Sequence, residues 1–127
     1  MKITKENAFA LSTSAQVRYD GKIFIPKVNS ENGEVSEETV FSYHQKGNLL
    51  WAEYAGGEII RGNLLGTVDG NGVLNFHYHH INKNHEIKIG KCRSVPHVMG
   101  DGKIELHEKW QWLNGDKSSG TSVLVEK

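Results

Sequence analysis

Apolar and polar side chains alternate in short runs along this chain, and glycine-containing turns separate most of the runs. Alternation with a period of two is typical of strands that bury one face, and the runs are rich in β-branched and aromatic residues. The pattern predicts eight strands, Lys22–Val28, Glu38–Gln45, Asn48–Ala55, Glu58–Val68, Val73–Ile81, Glu86–Ser94, Lys103–Trp112 and Ser118–Glu126. We therefore expect an all-β fold, a single-domain antiparallel up-and-down β-barrel of eight strands.

Residues 1–16 do not share this alternation and are predicted to be an N-terminal extension, so the β-barrel domain is assigned to residues 17–127. The longest apolar stretch of the extension, residues 8–11, is much shorter than the apolar region of a secretory signal. The single cysteine, Cys92, cannot form an internal disulfide. These features predict a cytoplasmic protein with no membrane span.

The predicted turns set the register of each hairpin, and the register decides which side chains share a face. With turns at Lys46-Gly47, Gly56-Gly57, 69–72, Lys83-Asn84 and Asn114-Gly115, one face becomes mainly apolar and the other mainly polar. The apolar face, which we expect inside the barrel, collects Phe41, Tyr43, Leu50, Tyr54, Ile59, Leu65, Leu74, Phe76, Tyr78, Ile87, Ile89, Ile104, Leu106, Trp110, Trp112, Val123 and Val125.

The same register places six polar side chains on the inner face, Arg61, Asn63, His80, Lys91, Arg93 and Glu108. One interpretation is structural: Glu108 pairs with a cation, or the residues near strand ends reach solvent, because unpaired buried charges are costly. The functional interpretation is a small-molecule site with a cationic excess. In that hypothesis an anionic, partly apolar ligand is anchored by Arg61, Lys91, Arg93 and Glu108. His80 and Asn63 also contact the ligand, and the walls are Tyr43, Tyr54, Tyr78, Trp110 and Trp112.

Charge and motifs narrow the remaining classes of function. Fifteen basic and fifteen acidic side chains cancel, which argues against nucleic acid as a partner. Phosphate-binding and dinucleotide-binding motifs are missing, so no cofactor is predicted. His77 and His79 lie on the same face of the predicted sheet as Cys92, Glu105 and His107, but that face is the predicted exterior. We interpret them as solvated side chains and predict no metal site.

Two alternatives to a binding barrel stay open. Glu108 and His80 could form an acid–base pair in an isomerase or hydrolase. Alternatively, the barrel could be a packed structural or interaction protein, in which the predicted exterior residues Trp51, Ile60 and Leu64 form a homo-oligomer contact.

Several segments also carry a family resemblance: ENGEVSEETVFSYHQ, WAEYAGGEIIRG, HINK, GKCRS and HEKWQWLNGDKSSGTS. Through them the chain resembles a family of small bacterial proteins, chiefly from Gram-positive genomes, whose members are often labelled N-acetylglutamate synthase. The label implies acetyl transfer from acetyl-CoA to glutamate. The pyrophosphate-binding loop of such acetyltransferases has the form Gln/Arg-x-x-Gly-x-Gly/Ala, which residues 61–66 do not match. In strand pattern the chain also resembles the calycins, the lipocalin and fatty-acid-binding barrels.

Overall fold

The computed structural model describes residues 17–127, so the predicted N-terminal extension lies outside the described part of the chain. Eight strands are present, β1 (Ile23–Asn29), β2 (Val40–Lys46), β3 (Leu49–Gly56), β4 (Ile59–Val68), β5 (Leu74–Asn82), β6 (Ile87–Val98), β7 (Ile104–Trp112) and β8 (Ser119–Glu126). They pair antiparallel in chain order, and β8 pairs with β1. The predicted eight-stranded antiparallel barrel is confirmed. In this part of the chain, no helix has the length and apolar character needed to cross a membrane.

The two ends of the barrel are built differently. At one end, which we call the closed end, the β2–β3, β4–β5 and β6–β7 turns surround the segment 17–22. Tyr19 of this segment is fully buried, its hydroxyl donates a hydrogen bond to the Gly72 carbonyl, and its backbone N–H donates to Gln45 Oε1 at 2.9 Å. At the other end, the loop end, residues 30–39 connect β1 to β2.

Inside the barrel, aromatic rings from the odd-numbered strands lie against glycines of their neighbours. Tyr54 of β3 covers Gly62, and Tyr78 of β5 covers Gly90. A Cβ atom on either glycine would overlap the tyrosine ring. Trp110 of β7 covers a third glycine, on β8, in the same way. Alternating large and small residues fill the interior of a small barrel, and here the alternation runs from strand to strand.

The residues predicted to face the interior do so on β2, β3, β5 and β7. On β4, β6 and β8, most of the residues predicted to face the interior lie on the outside. Arg61 and Asn63 of β4 are exposed on the outer surface. Lys91 and Arg93 of β6 are exposed there as well, and Cys92 between them is buried in the core. The predicted cationic excess inside the barrel is therefore wrong.

The same error affects apolar residues. On β4, Leu64 faces inward and is 3% exposed, whereas its neighbour Leu65 faces outward and is 61% exposed. The outward set also includes residues that were predicted to lie inside, namely Leu65, Ile87, Ile89, Val123 and Val125. Leu64 therefore cannot belong to the predicted oligomer contact. Trp51 is half-buried on the outside, where its ring stacks on His44 with 5.4 Å between centroids.

A bulge in the β3–β4 hairpin explains the outward position of Arg61 and Asn63. Gly56 pairs with Ile59, and Tyr54 pairs with Gly62, so that three steps along β4 match two steps along β3. The extra residue makes two successive side chains of β4 face outward and reverses the inside–outside order of the residues that follow. The sequence interpretation assumed regular pairing across this hairpin and therefore inverted the strand.

Asx turns explain the error at two further hairpins. Asp69 Oδ1 accepts hydrogen bonds from the backbone N–H groups two and four residues later, and Asn82 Oδ1 does the same at the next hairpin. Val68 then pairs with Leu74, and Ile81 pairs with Ile87. Each connection is one residue longer than the sequence interpretation assumed. A shift of one residue exchanges the two faces of a strand.

The glycine contacts yield a prediction about stability. On β4, Gly66 lies against the backbone of Asn75 and Phe76 on β5, so a methyl group there meets atoms that cannot rotate away. We expect Gly66→Ala to lower the free energy of unfolding by about 1–3 kcal/mol, the usual cost of overpacking. Denaturant unfolding measures this value.

The matched control is Gly70→Ala in the β4–β5 turn, where an added Cβ meets nothing within 4 Å. Equal stability of the two variants would contradict the close packing of β4 on β5.

Candidate functional site

A cavity of about 50 Å³ lies inside the barrel at the loop end. This volume has room for a few water molecules or a molecule of a few non-hydrogen atoms. The cavity is bounded by the β1–β2 loop at its mouth and by inward side chains of all eight strands further in. The lining residues are Asn29, Gly33, Glu34, Val35, Phe41, Tyr54, Leu64, Phe76, Tyr78, His80, Cys92, Glu108, Trp110, Trp112 and Ser122.

The β1–β2 loop is held over the cavity by side chains of the barrel wall. Asn29 Nδ2 donates to the Val35 carbonyl at 2.7 Å, and Trp112 Nε1 donates to the Asn32 carbonyl at 3.1 Å. At the far end of the loop, the Thr39 hydroxyl donates to the Gly56 carbonyl at 3.1 Å. These bonds place Glu34 at the cavity mouth, facing β5.

A hydrogen-bonded chain runs from Glu34 through His80 to Tyr54. His80 Nε2 lies 2.8 Å from Glu34 Oε1, and His80 Nδ1 lies 2.9 Å from the Tyr54 hydroxyl. Burial lowers the pKa of His80, and the hydrogen bond and charge of Glu34 oppose that shift. The neutral imidazole then donates from Nε2 to Glu34 and accepts at Nδ1 from Tyr54. Asn82 Nδ2 also donates to Glu34, at 3.1 Å from Oε2.

Glu108, on β7, lies deeper in the cavity and is 8% exposed. Its Oε2 atom is one of three buried side-chain polar atoms without a hydrogen-bond partner in residues 17–127, and the other two are Tyr43 Oη and Ser94 Oγ. Burial raises the pKa of Glu108 to about 8, and the hydroxyl of Ser94, its cross-strand neighbour on β6, opposes part of that shift. The carboxyl group is therefore mostly protonated at pH 7.

Aromatic rings form the walls between Glu34 and Glu108. The centroids of Trp110 and Trp112 lie 5.4 Å apart, and that of Tyr78 lies 5.7 Å from Trp112. Trp110 Nε1 donates to Ser122 Oγ at 2.8 Å, which fixes the indole. On the opposite wall, Phe41 stacks on Tyr54 with 4.8 Å between centroids.

The structure brings together six of the residues that the sequence singled out: Tyr54, Tyr78, His80, Glu108, Trp110 and Trp112 all line the cavity. Tyr43 is buried in the core and does not line the cavity. As shown above, Arg61, Asn63, Lys91 and Arg93 are on the outside. Whether any of these residues binds a ligand stays a prediction.

Sequence reasoning missed Glu34, Cys92 and Ser122. Cys92 and Ser122 belong to the strands whose faces were inverted. Glu34 belongs to a connection of ten residues, 30–39, which is much longer than the other turns. Long loops in compact domains frequently carry function, so loop length was an available signal for Glu34.

Two of the chemical alternatives can be placed in this geometry. In the described range 17–127, no group of three or more His, Cys, Asp or Glu side chains is arranged to hold a metal ion. His80 and Glu108 both line the cavity, and both ring nitrogens of His80 are already engaged, by Glu34 and Tyr54. An acid–base role for His80 would require one of these bonds to break.

Comparison with known proteins gives a single finding. A family model described as Avidin-like protein matches residues 17–127, which is most of the chain. No curated protein and no solved structure matches the sequence.

The buried carboxyl group predicts a dependence of stability on pH. The folded protein holds the Glu108 proton up to about pH 8, whereas an ordinary Glu loses it near 4.5. Between about pH 5 and 8 the folded state therefore binds more protons than the unfolded chain, and the free energy of unfolding falls as pH rises. We expect a contribution from Glu108 approaching about 1.4 kcal/mol per pH unit, which Glu108→Gln removes.

Denaturant unfolding of both proteins at pH 5, 6, 7 and 8 measures this contribution. The lowered pKa of His80 contributes with the opposite sign, because the folded state disfavours its charged form. That contribution is common to both proteins, so their difference isolates Glu108. Glu58→Gln, at an exposed position, is the matched control and keeps the wild-type slope. Equal slopes in wild type and Glu108→Gln would contradict the assignment.

Proposed function

The chain belongs to the avidin-like family, and from that premise we propose that its barrel binds a small, partly apolar molecule in the cavity beneath the β1–β2 loop. The observation that carries the proposal is Glu108 Oε2, a buried polar atom at the inner part of the cavity with no partner in the described chain. Leaving such a group unsatisfied costs about 1–3 kcal/mol. A ligand that hydrogen-bonds to the Glu108 carboxyl group, which can present Oε2 to the cavity by rotating, recovers that free energy on binding.

The walls support the same proposal. Binding cavities are mostly lined by apolar and aromatic groups, with a few polar groups that orient the ligand. Here Trp110, Trp112 and Tyr78 supply aromatic surface, while Glu108 and Glu34 supply polar atoms at opposite ends of the cavity. The apolar part of the ligand would lie against the rings, and its polar part would reach Glu108.

The volume sets the size of the ligand. Sites for drug-sized molecules usually enclose about 300–1,000 Å³, whereas this cavity encloses about 50 Å³. A molecule of a few non-hydrogen atoms fits the cavity as it stands. A larger ligand would have to displace the β1–β2 loop, which the bonds from Asn29, Trp112 and Thr39 hold in place.

The anionic character expected from the sequence is not part of this proposal. It depended on Arg61, Lys91 and Arg93, and all three side chains are exposed on the outer surface. Among the described residues that line the cavity there is no Lys or Arg, so an anion would meet no opposite charge there. The proposal is thus for a ligand with an apolar part and a group that can hydrogen-bond to a carboxyl.

Tryptophan fluorescence tests the proposal. The chain has three tryptophans, of which Trp110 and Trp112 line the cavity and Trp51 lies outside it. In the Trp51→Phe variant, the tryptophan fluorescence therefore comes only from the two tryptophans that line the cavity. We expect a saturable change with at least one class in a panel of short-chain alcohols, amides, amines and carboxylates, with biotin included as a larger probe.

Filling the cavity provides the matched comparison. Cys92→Leu adds side-chain volume inside the cavity and should weaken binding at least tenfold, because the ligand and the new side chain compete for about 50 Å³. Thr67→Leu places the same side chain on the exposed face of β4 and should leave binding unchanged. Far-UV circular dichroism checks that both variants fold. Absence of a saturable response to every class would reject the proposed function.

A further inference from the structure

We propose that the ligand of this cavity is a small organic cation, an ammonium group on a short apolar chain, which pairs with Glu108. This inference rests on the proposed function and adds the chemical class of the ligand. The site consists of an acceptor carboxyl group enclosed by aromatic ring faces, with a second carboxylate at the entrance and no cationic side chain in the described lining.

The acidic groups along the cavity favour a cation over an anion. Glu34 stands at the mouth and Glu108 further in, so a ligand meets acidic groups at both ends. A cationic side chain, Lys88, lies at the rim, where its Nζ is 3.9 Å from Glu34 Oε2. Lys88 therefore offsets part of the negative charge of Glu34. Glu108 has no cationic partner in the described chain.

The aromatic walls suit a cation as well. A cation within about 6 Å of an aromatic ring centroid is attracted by the negative face of the ring, most strongly for Trp. The protein already shows this contact at the rim, where Lys88 Nζ lies 4.9 Å from the centroid of Trp112. Trp110 and Tyr78, next to Trp112, offer similar rings inside the cavity.

The other titratable groups near Glu108 stay uncharged in the neutral pH range. Tyr43 on β2, Tyr54 on β3, Tyr78 on β5 and Cys92 on β6 surround it. Burial raises the pKa of each of these four groups, so each keeps its proton. His80, at the mouth, is neutral as well, because burial lowers its pKa.

The proposed step has a defined proton balance. Near pH 7 the carboxyl group of Glu108 is mostly protonated, and an incoming ammonium already carries its own proton. Formation of the ion pair therefore transfers the Glu108 proton to the solvent, so that close to one proton leaves for each cation bound. Affinity should rise with pH between about 6 and 8, by up to tenfold per unit. It should fall again once the amine itself loses its proton, near pH 10.

The experiment compares three ligands that share one short chain: propylamine, propan-1-ol and propionate. Affinities are measured by titration of the Trp51→Phe protein at pH 7 and 8.5. We expect propylamine to bind at least tenfold more tightly than propan-1-ol, and propionate to bind most weakly. Glu108→Gln should remove the preference for the amine, while Glu58→Gln, at an exposed position, keeps it.

Calorimetry of propylamine binding at pH 7, in buffers with different heats of ionisation, counts the released protons. This count uses the protein with Glu108 in place, so it decides the question even when Glu108→Gln does not fold. A release close to one proton supports the inference. Zero release overturns it.

The outcomes also separate this inference from the proposed function. Propan-1-ol binding as tightly as propylamine, or propionate binding most tightly, overturns the cation assignment and leaves a binding barrel. Failure of all three ligands, together with the whole panel above, rejects both proposals.

Discussion

The barrel depends on one packing constraint between β3 and β8, where rings of β3, β5 and β7 each lie over a glycine of the next strand. Tyr54 requires Gly62, Tyr78 requires Gly90, and a Cβ at either glycine would overlap the ring. Eight strands enclose an interior just wide enough for side chains to fill. Rings on β1, β2 and β3 pack directly on one another, as Phe41 does on Tyr54. From β4 onward, the glycines of β4, β6 and β8 make room for the rings of β3, β5 and β7.

The cavity follows from the same constraint. Where the residue next to a ring is a glycine, the ring fills the space that a side chain would occupy, as Trp110 does over Gly120 of β8. Cys92 and Ser122 are also small inward residues of even-numbered strands, and both line the cavity. The rings around them are fixed elsewhere: Trp110 bonds to Ser122 and Trp112 bonds to the β1–β2 loop. The remaining volume lies next to Glu108, and its carboxyl oxygen stays without a partner.

The eight strands could be predicted from the sequence, because a strand that buries one face shows alternating apolar and polar residues. Glu108 and His80 were found for that reason: both lie on odd-numbered strands, whose inner positions are large and recognisable. The inner positions of β6 are small, such as Gly90 and Cys92, so the rule that apolar residues point inward selected Ile87 and Ile89 instead. The bulge in β4 and the Asx turns at Asp69 and Asn82 depend on hydrogen bonds that the residue pattern alone does not specify.

The sorting of charges by face has a physical cause that also bears on the ligand. An arginine keeps its charge in any protein environment, so Arg93 is stable on the wet outer surface and would be costly inside. A carboxyl group can enter an apolar interior by taking up a proton, which is why burial raises the pKa of Glu108. The barrel can therefore hold Glu108 in its uncharged form at low cost, and a ligand that brings a positive charge favours the charged form. A barrel built in this way is suited to a cation rather than to an anion.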